Sequence, residues 1–138
     1  EKNVHSFIRT IIQKKLINSA HDIGDGGLAL AIAECCISSG YGANITLPIG
    51  EVRLDRLLFA EGGARILISC SENQAIELKK FYKDLNAKNP TPFQISYLGN
   101  VKIKKQLSIS QSDNLIINAN LLDLEDRYKN AIYNKISK

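Results

Sequence analysis

The run Ser19-Ala-His-Asp-Ile-Gly-Asp-Gly-Gly-Leu-Ala-Leu-Ala-Ile-Ala-Glu-Cys-Cys36 decides how this chain folds. It places two carboxylates, an imidazole and three glycines directly ahead of an apolar run. Leu28, Ala31, Ile32, Cys35 and Cys36 recur at the spacing of one helical face, so an amphipathic helix is expected there. Asp25 stands where an N-cap belongs and Gly40 where a C-terminal stop belongs. Ser19 to Ile23 then reads as a short extended entry into the turn. A glycine-rich turn that feeds a helix leaves backbone N–H groups unpaired at the positive end of the helix dipole. That is a physical site for an anion, most often a phosphate. Gly26 and Gly27, without side chains, would let backbone approach such an anion closely.

Working outward, Val4, Phe7, Ile8, Ile11, Ile12 and Leu16 predict a first amphipathic helix with Asn3 as its cap. Downstream of the second helix, Tyr41-Gly-Ala breaks the pattern and Asn44 to Leu47 alternates as a strand ending at Pro48. Leu54, Leu57 and Leu58 suggest one or two helical turns closing at Phe59-Ala-Glu-Gly-Gly63. Arg65 to Cys70 reads as a strand with Ile66, Ile68 and Cys70 on one face and Leu67 on the other. Ser71-Glu-Asn-Gln74 matches a capping box, and Ala75, Leu78, Tyr82 and Leu85 follow as the buried stripe of a third helix.

The prolines of Lys88-Asn-Pro-Thr-Pro92 call for a loop. Phe93, Ile95 and Tyr97 alternate as a strand running into Gly99-Asn100, a tight-turn pair. Further strands are expected over Lys102 to Ile109 and Asn114 to Asn118, with Gln111-Ser-Asp-Asn between them. Asp123 is the expected cap of a last helix carrying Leu124, Tyr128, Ala131, Ile132 and Ile136. The class is therefore α+β, a mixed sheet with helices packed on it.

With 138 residues, 44% of them hydrophobic, the chain reads as a single domain over 1–138 with material for a core. It begins at Glu1 and contains no methionine, so it is read as a piece of a longer multidomain polypeptide. No apolar run approaches the length of a membrane span, and nothing at the start resembles a signal peptide. A membrane partner is therefore not expected, and the localisation expected is cytoplasmic. The net charge of +4 invites a nucleic-acid reading. Outside Lys102, Lys104 and Lys105 the basic residues are scattered, and no aromatic residues interleave with them as a stacking platform requires, so a solvated surface is the better account. Cys35, Cys36 and Cys70 lack metal-ligand spacing and read as small buried hydrophobes in a reducing compartment.

The chemistry-bearing residues fall in two places. Asp22 and Asp25, three apart, could face one ligand and hold a Mg2+ that bridges phosphate oxygens. The alternative is that Asp25 caps the helix and Asp22 tightens the turn. His21 beside the turn is either a structural hydrogen-bonding residue or a donor to phosphate through its second ring nitrogen. In Phe59-Ala-Glu-Gly-Gly-Ala-Arg65, Glu61 and Arg65 bracket two glycines. They form either a structural ion pair or a site where Arg65 takes a phosphate or carboxylate. No Ser-His-Asp order, Walker-type loop or metal-binding cluster is present.

Taken together, Ser19 to Cys36 and Leu54-Asp-Arg-Leu-Leu-Phe-Ala-Glu-Gly-Gly-Ala-Arg-Ile-Leu-Ile-Ser69 resemble the C-terminal domain of the aminoimidazole ribonucleotide synthetase superfamily. Within it, the resemblance is to the phosphoribosylformylglycinamidine synthase family, through Tyr97-Leu-Gly-Asn-Val101 and the closing helix. The His-Asp-x-x-Asp-Gly-Gly-Leu and Phe-x-Glu-x-x-x-Arg pair carries the specificity.

The resemblance implies a partly ferredoxin-like fold and part of an ATP-dependent carbon–nitrogen ligase of purine biosynthesis. That family converts formylglycinamide ribonucleotide to the amidine, with glutamine as the ammonia donor. ATP and Mg2+ are implied for the complete enzyme, and neither is expected bound to the isolated domain. The partners implied are an N-terminal ATP-binding domain of the same chain, a glutaminase subunit or domain, and the ribonucleotide substrate. His21, Asp22, Gly24, Asp25, Gly26, Gly27 and Arg65 are implied to line the phosphate site, with Glu61 in support.

The chain departs from the family at Gly24 and Gly62, where serine is usual, which removes two hydroxyl contacts. Two other readings stand beside this one. The domain could serve only structure and assembly in the same enzyme, or belong to another superfamily member such as a hydrogenase-maturation protein. Self-association through an exposed sheet edge is a further expectation.

Overall fold

A computed structural model of the chain describes residues 2–24, 26–49, 58, 65–88, 90 and 93–128. The chain divides into two units, residues 1–31 with 60–96 and residues 32–59 with 97–138. In the first unit, α1 (Lys2–Gln13) leads to β1 (Ser19–Asp22), which pairs antiparallel with β3 (Ile66–Ser69). The helix α3 (Glu72–Lys88) follows β3 directly. Helix α2 (Gly27–Ser39) begins in this unit and continues into the second.

Apolar side chains from α1 and α3 build the core of the first unit. Phe7, Ile11 and Leu78 are buried, and Ile8, Leu16, Ile17, Ile68, Phe81, Tyr82, Phe93 and Ile95 pack against them. Phe7 is the hub. Its ring stacks on Phe81 at 5.8 Å, meets Tyr82 edge-on at 6.1 Å and lies 5.1 Å from Phe93. Each such pair adds about 0.5–1.5 kcal/mol beyond its buried area. The Tyr82 hydroxyl donates to the Phe93 carbonyl at 2.7 Å, so the half-buried phenol is satisfied and the segment after α3 is tied back onto the core.

This geometry corrects several expectations. The stripe on α3 passes through Phe81 and Tyr82, while Leu85 stands outside it among the exposed apolar residues. On α1, Ile12 is likewise exposed, and the helix starts at Lys2, so Asn3 lies inside it rather than capping it. Residues 93–98 form no strand, because Phe93 and Ile95 pack inward against α1 and α3 instead of pairing.

Helix α1 closes without a glycine. Leu16 N–H donates to Ile11 C=O at 2.9 Å and Lys15 N–H to Ile12 C=O at 3.0 Å, with Lys15 at φ +57°. This is the paired hydrogen bonding of a Schellman end, with lysine in the left-handed position glycine usually takes. Burial of Leu16 against Ile11 supplies the apolar contact that accompanies it. The α3 start is the capping box expected from sequence. Ser71 N–H donates to Gln74 Oε1 at 2.8 Å, and Gln74 N–H donates to Ser71 Oγ at 3.2 Å. Gln74 also donates from Nε2 to the Lys15 carbonyl at 3.1 Å, which joins the start of α3 to the end of α1.

The second unit holds β2 (Gly42–Leu47), β4 (Gly99–Lys102), β5 (Gln106–Gln111) and β6 (Asn114–Asn120), in sheet order β4-β2-β5-β6. The β2–β5 pair is parallel and its neighbours are antiparallel, so the mixed sheet of an α+β domain is present. It is not the only sheet, since β1 and β3 pair with each other as a separate ribbon. Ala43, Ile45, Leu47, Leu107 and Ile109 are the buried face, alternating with polar residues.

Gly99 and Asn100 open β4 instead of forming a turn, and Lys102 ends that strand rather than starting the next. Residues 121–128 are helical, and Leu122 N–H donates to Asn120 Oδ1 at 2.9 Å. Asn120 is therefore the cap in place of Asp123. Leu54, Leu57, Ala131, Ile132 and Ile136 lie outside the described residues, whereas Leu58 is buried.

Gly42 has a packing reason that the sequence did not announce. A side-chain carbon there would collide with backbone at Lys104 and Gln106. Gly42→Ala should therefore destabilise the fold by more than about 2 kcal/mol, read by urea denaturation, because backbone rather than a flexible side chain must yield.

Candidate functional site

The two motifs are brought together by the β1–β3 ribbon. Its register sets Ser19 opposite Ser69, Ala20 opposite Ile68, His21 opposite Leu67 and Asp22 opposite Ile66. The pairing runs one step further, since Ile23 N–H donates to the Arg65 carbonyl at 3.0 Å. Asn18 N–H closes the other end on the Ser69 carbonyl at 2.7 Å, and the Ser19 and Ser69 hydroxyls bond to each other. Residues directly opposite share a face and successive residues alternate. His21, Ile23, Arg65 and Leu67 thus lie on one face of the ribbon, and Asp22 on the other with Ile66 and Ile68. Some 40 residues apart in sequence, His21 and Arg65 become near neighbours.

After Ile23 the chain reverses into α2 within a few residues. Gly27 N–H donates to the Gly24 carbonyl at 3.0 Å, and Gly26 and Gly27 hold φ of +87° and +72°. Both angles lie in the left-handed region that glycine enters without steric cost. The tight bend, not only close approach by a ligand, accounts for both glycines. A Cβ on Gly26 would also run into the Leu30 side chain, whereas at Gly24 it would meet nothing within 4 Å.

The bond to Gly24 commits the Gly27 N–H, so this residue shapes the bend rather than supplying a donor. The donors at the helix dipole's positive end are those of the first turn, Leu28 and Ala29, which have no i−4 acceptor within the helix. The buried side chains of α2 are Leu28, Ala31, Ile32 and Cys36, the face expected from sequence, with Cys35 half-buried beside them. Gly40 does stop the helix, at φ +78°, with its N–H donating to the Cys36 carbonyl at 2.9 Å.

The imidazole of His21 is oriented by backbone. Its Nδ1 lies 2.8 Å from the Asp22 carbonyl, which can only accept, so Nδ1 carries the proton. In the neutral ring Nε2 is then an acceptor, and donation from it to a phosphate requires the charged imidazolium. Asp25 and Glu61 lie outside the described residues, as does Gly62. Among the described residues no group of three His, Cys, Asp or Glu side chains could hold a metal ion. Asp22, on the far face from His21, supplies one carboxylate.

The sequence pattern marks Leu67 and Ser69 only as strand residues. Counting every second position from Arg65 is the signal that would have placed both beside His21. A groove of about 400 Å³ elsewhere in the first unit is lined by Lys14, Leu16, Glu77, Lys80, Phe81 and Asp84, none of them an expected site residue.

Residues 1–89 match the family described as AIR synthase related protein, C-terminal domain. The chain belongs to this family. Among curated relatives, the chain is 62% identical over all 138 residues to a phosphoribosylformylglycinamidine synthase subunit PurL of Prochlorococcus marinus strain NATL1A. A PurL of strain MIT 9303 is 43% identical over 129 residues, 94% of the chain. The chain spans only 17% and 16% of those two relatives. In fold, the AIR synthase related domain matches T. maritima PurL complexed with FGAR at a TM-score of 0.74 and 18% identity, over 90% of this chain and 20% of that one. The T. maritima PurL complexed with ATP matches equally, at 0.74 and 17% identity, over 90% and 21%.

The three cysteines of the AIR synthase related domain are free thiols. Burial pushes the Cys35 thiol up, aided by the Glu34 carboxylate, and burial pushes Cys36 up beside Cys35. Raised thiols favour the protonated form in the folded state. The stability they contribute is present below the unfolded thiol range near pH ~8.5 and is lost as pH rises through the higher folded values. Cys36→Ala should therefore flatten the alkaline fall in stability above about pH 8.5, measured by thermal melts across pH.

At the turn, Gly26→Ala should cost about 1–2 kcal/mol for its left-handed φ, with the Leu30 contact in addition. Gly24→Ser, which restores the usual family residue, should change stability by less than about 0.5 kcal/mol. Paired chemical denaturation curves check both.

Proposed function

We propose that this chain is the C-terminal domain of a phosphoribosylformylglycinamidine synthase, an ATP-dependent carbon–nitrogen ligase of purine biosynthesis, and that it presents a phosphate-binding helix start. What carries the reading is the ribbon, which sets His21 and Arg65 on one face where the left-handed glycines open α2. Identity of 62% to a relative of that name across the whole chain supports it. In the reaction, ATP phosphorylates the amide oxygen of formylglycinamide ribonucleotide. Ammonia adds to that carbon, phosphate leaves with the oxygen, and an amidine remains.

The residues of this chain would bind and orient a phosphate rather than break bonds. First-turn N–H groups of α2 offer neutral donors, and Arg65 offers a charged, planar one. The imidazolium of His21 would add a further donor. A Mg2+ in the complete enzyme would take carboxylates such as Asp22, on the face of the ribbon opposite His21 and Arg65, and would supply charge neutralisation there. The remaining site groups would come from an N-terminal ATP-binding domain of the same polypeptide and ammonia from a glutaminase partner, in the cytoplasm. PurL from T. maritima is known in complexes with FGAR and ATP and in an assembly named PurLQS.

The experiment is ammonia-dependent amidine formation by the full-length polypeptide carrying this domain. Arg65→Ala should raise KM for ATP or for the ribonucleotide by about tenfold or more, as expected for a lost charge-assisted contact. Gly24→Ser, which restores the hydroxyl usual in the family, should raise neither KM. Unaltered KM values for Arg65→Ala would instead favour a domain that serves assembly.

A further inference from the structure

We propose that the outer edge of β4 is a docking site for an extended, acid-bearing segment of a partner polypeptide, which adds to the sheet as a fifth strand. Among the described residues, β4 is the terminal strand of the order β4-β2-β5-β6 and pairs on one side with β2. A terminal strand presents a row of main-chain donors and acceptors to whatever lies beyond it.

Two further features distinguish this edge. Its apolar side chains are turned out, with Tyr97 70%, Val101 62% and Ile103 86% exposed. Val101 stands opposite Ala43, on the face of the sheet that is otherwise buried, so the apolar face continues to the edge. Tyr41, 50% exposed, immediately precedes β2, at the end of the ribbon where Gly42 faces Lys102.

The charge here has one sign. Lys102, Lys104 and Lys105 are all exposed, and no Asp or Glu occurs anywhere from Leu85 to Ser112. That decides between occupants. A second copy pairing edge to edge through β4 would bring six lysines together, which like-charge repulsion opposes. An acid-bearing strand would gain steering and cross-strand ion pairs from the same lysines. Lysine on an edge strand is a common guard against self-pairing, and the guard and the docking site are compatible: it excludes a like copy and admits an opposite charge. Exposed Val101 and Ile103 favour a protein strand over a nucleic acid, which would have no use for aliphatic side chains.

The test uses the full-length polypeptide carrying this domain and a fluorescein-labelled octapeptide of alternating Glu and Val, with the Lys and Val octapeptide as its counterpart. The acidic peptide should bind in a fluorescence anisotropy titration and slow hydrogen exchange at residues 100–103, and the basic peptide should do neither. Affinity should fall about tenfold in a Lys102→Glu, Lys104→Glu, Lys105→Glu variant and fall again with salt. Ile103→Ser, an exposed change with no folding burden, should weaken binding severalfold while leaving the salt dependence intact. Equal binding of the two peptides would overturn the proposal, as would acidic-peptide binding that leaves exchange in β4 untouched. So would tighter binding of an oligothymidylate of equal charge, or a salt-stabilised dimer that buries β4 on β4.

Discussion

The strand-to-helix reversal between Ile23 and Gly27 is the constraint on which the first unit depends. A chain leaving β1 must turn back within a few residues to enter α2, and only a backbone at positive φ can do so there. Gly26 and Gly27 both adopt it, and the Gly27 N–H is spent closing the turn on Gly24. Were the reversal longer, the start of α2 would not sit beside the end of the β1–β3 ribbon. The anion-binding role proposed for the site would thus follow from a steric solution. The same bend that glycine permits also delivers the positive end of a helix to the edge carrying His21 and Arg65.

Holding that ribbon in place is the work of α1 and α3. Phe7 contacts three aromatic rings, and Tyr82 anchors the segment after α3 by a hydrogen bond to Phe93. Gln74 links the α3 start to the α1 end through the Lys15 carbonyl. These contacts are local in space but come from residues 7, 15, 74, 82 and 93, so they form only when α1 and α3 have been brought together. Ile68 belongs to the same core, which fixes one face of the ribbon against it and leaves the other to His21, Arg65 and Leu67.

Much of this was legible in the residues because local signals carried it. The Ser71–Gln74 capping box, the Gly40 stop and the two-residue Ser112–Asp113 connection between β5 and β6 each depend on a few adjacent positions. Where the reading went astray, a distant contact outweighed the local pattern. Phe93 and Ile95 alternate like a strand but are drawn onto the aromatic cluster. Gly99 looks like a turn residue, yet a side chain there would strike the Asn44 backbone, so its role is to let β4 lie close against β2. Lys15 ends a helix in a conformation that gave no sign in sequence, since lysine is not the residue that position favours.

Taken by itself, the sequence determined the α+β class, the family, the turn that opens α2 and the residues worth watching. These rest on periodicity, on the restricted conformations of glycine and on motif spacing, all of which are properties of short stretches. The tertiary structure alone decided which of those residues meet. Strand alternation about the β1–β3 register places His21 with Arg65 and turns Asp22 to the other face. The hydrogen bond to Gly24 moves the donors from the glycines to the first turn beyond them. Register and hydrogen-bond partners are relations between distant segments, and no single stretch of chain contains them.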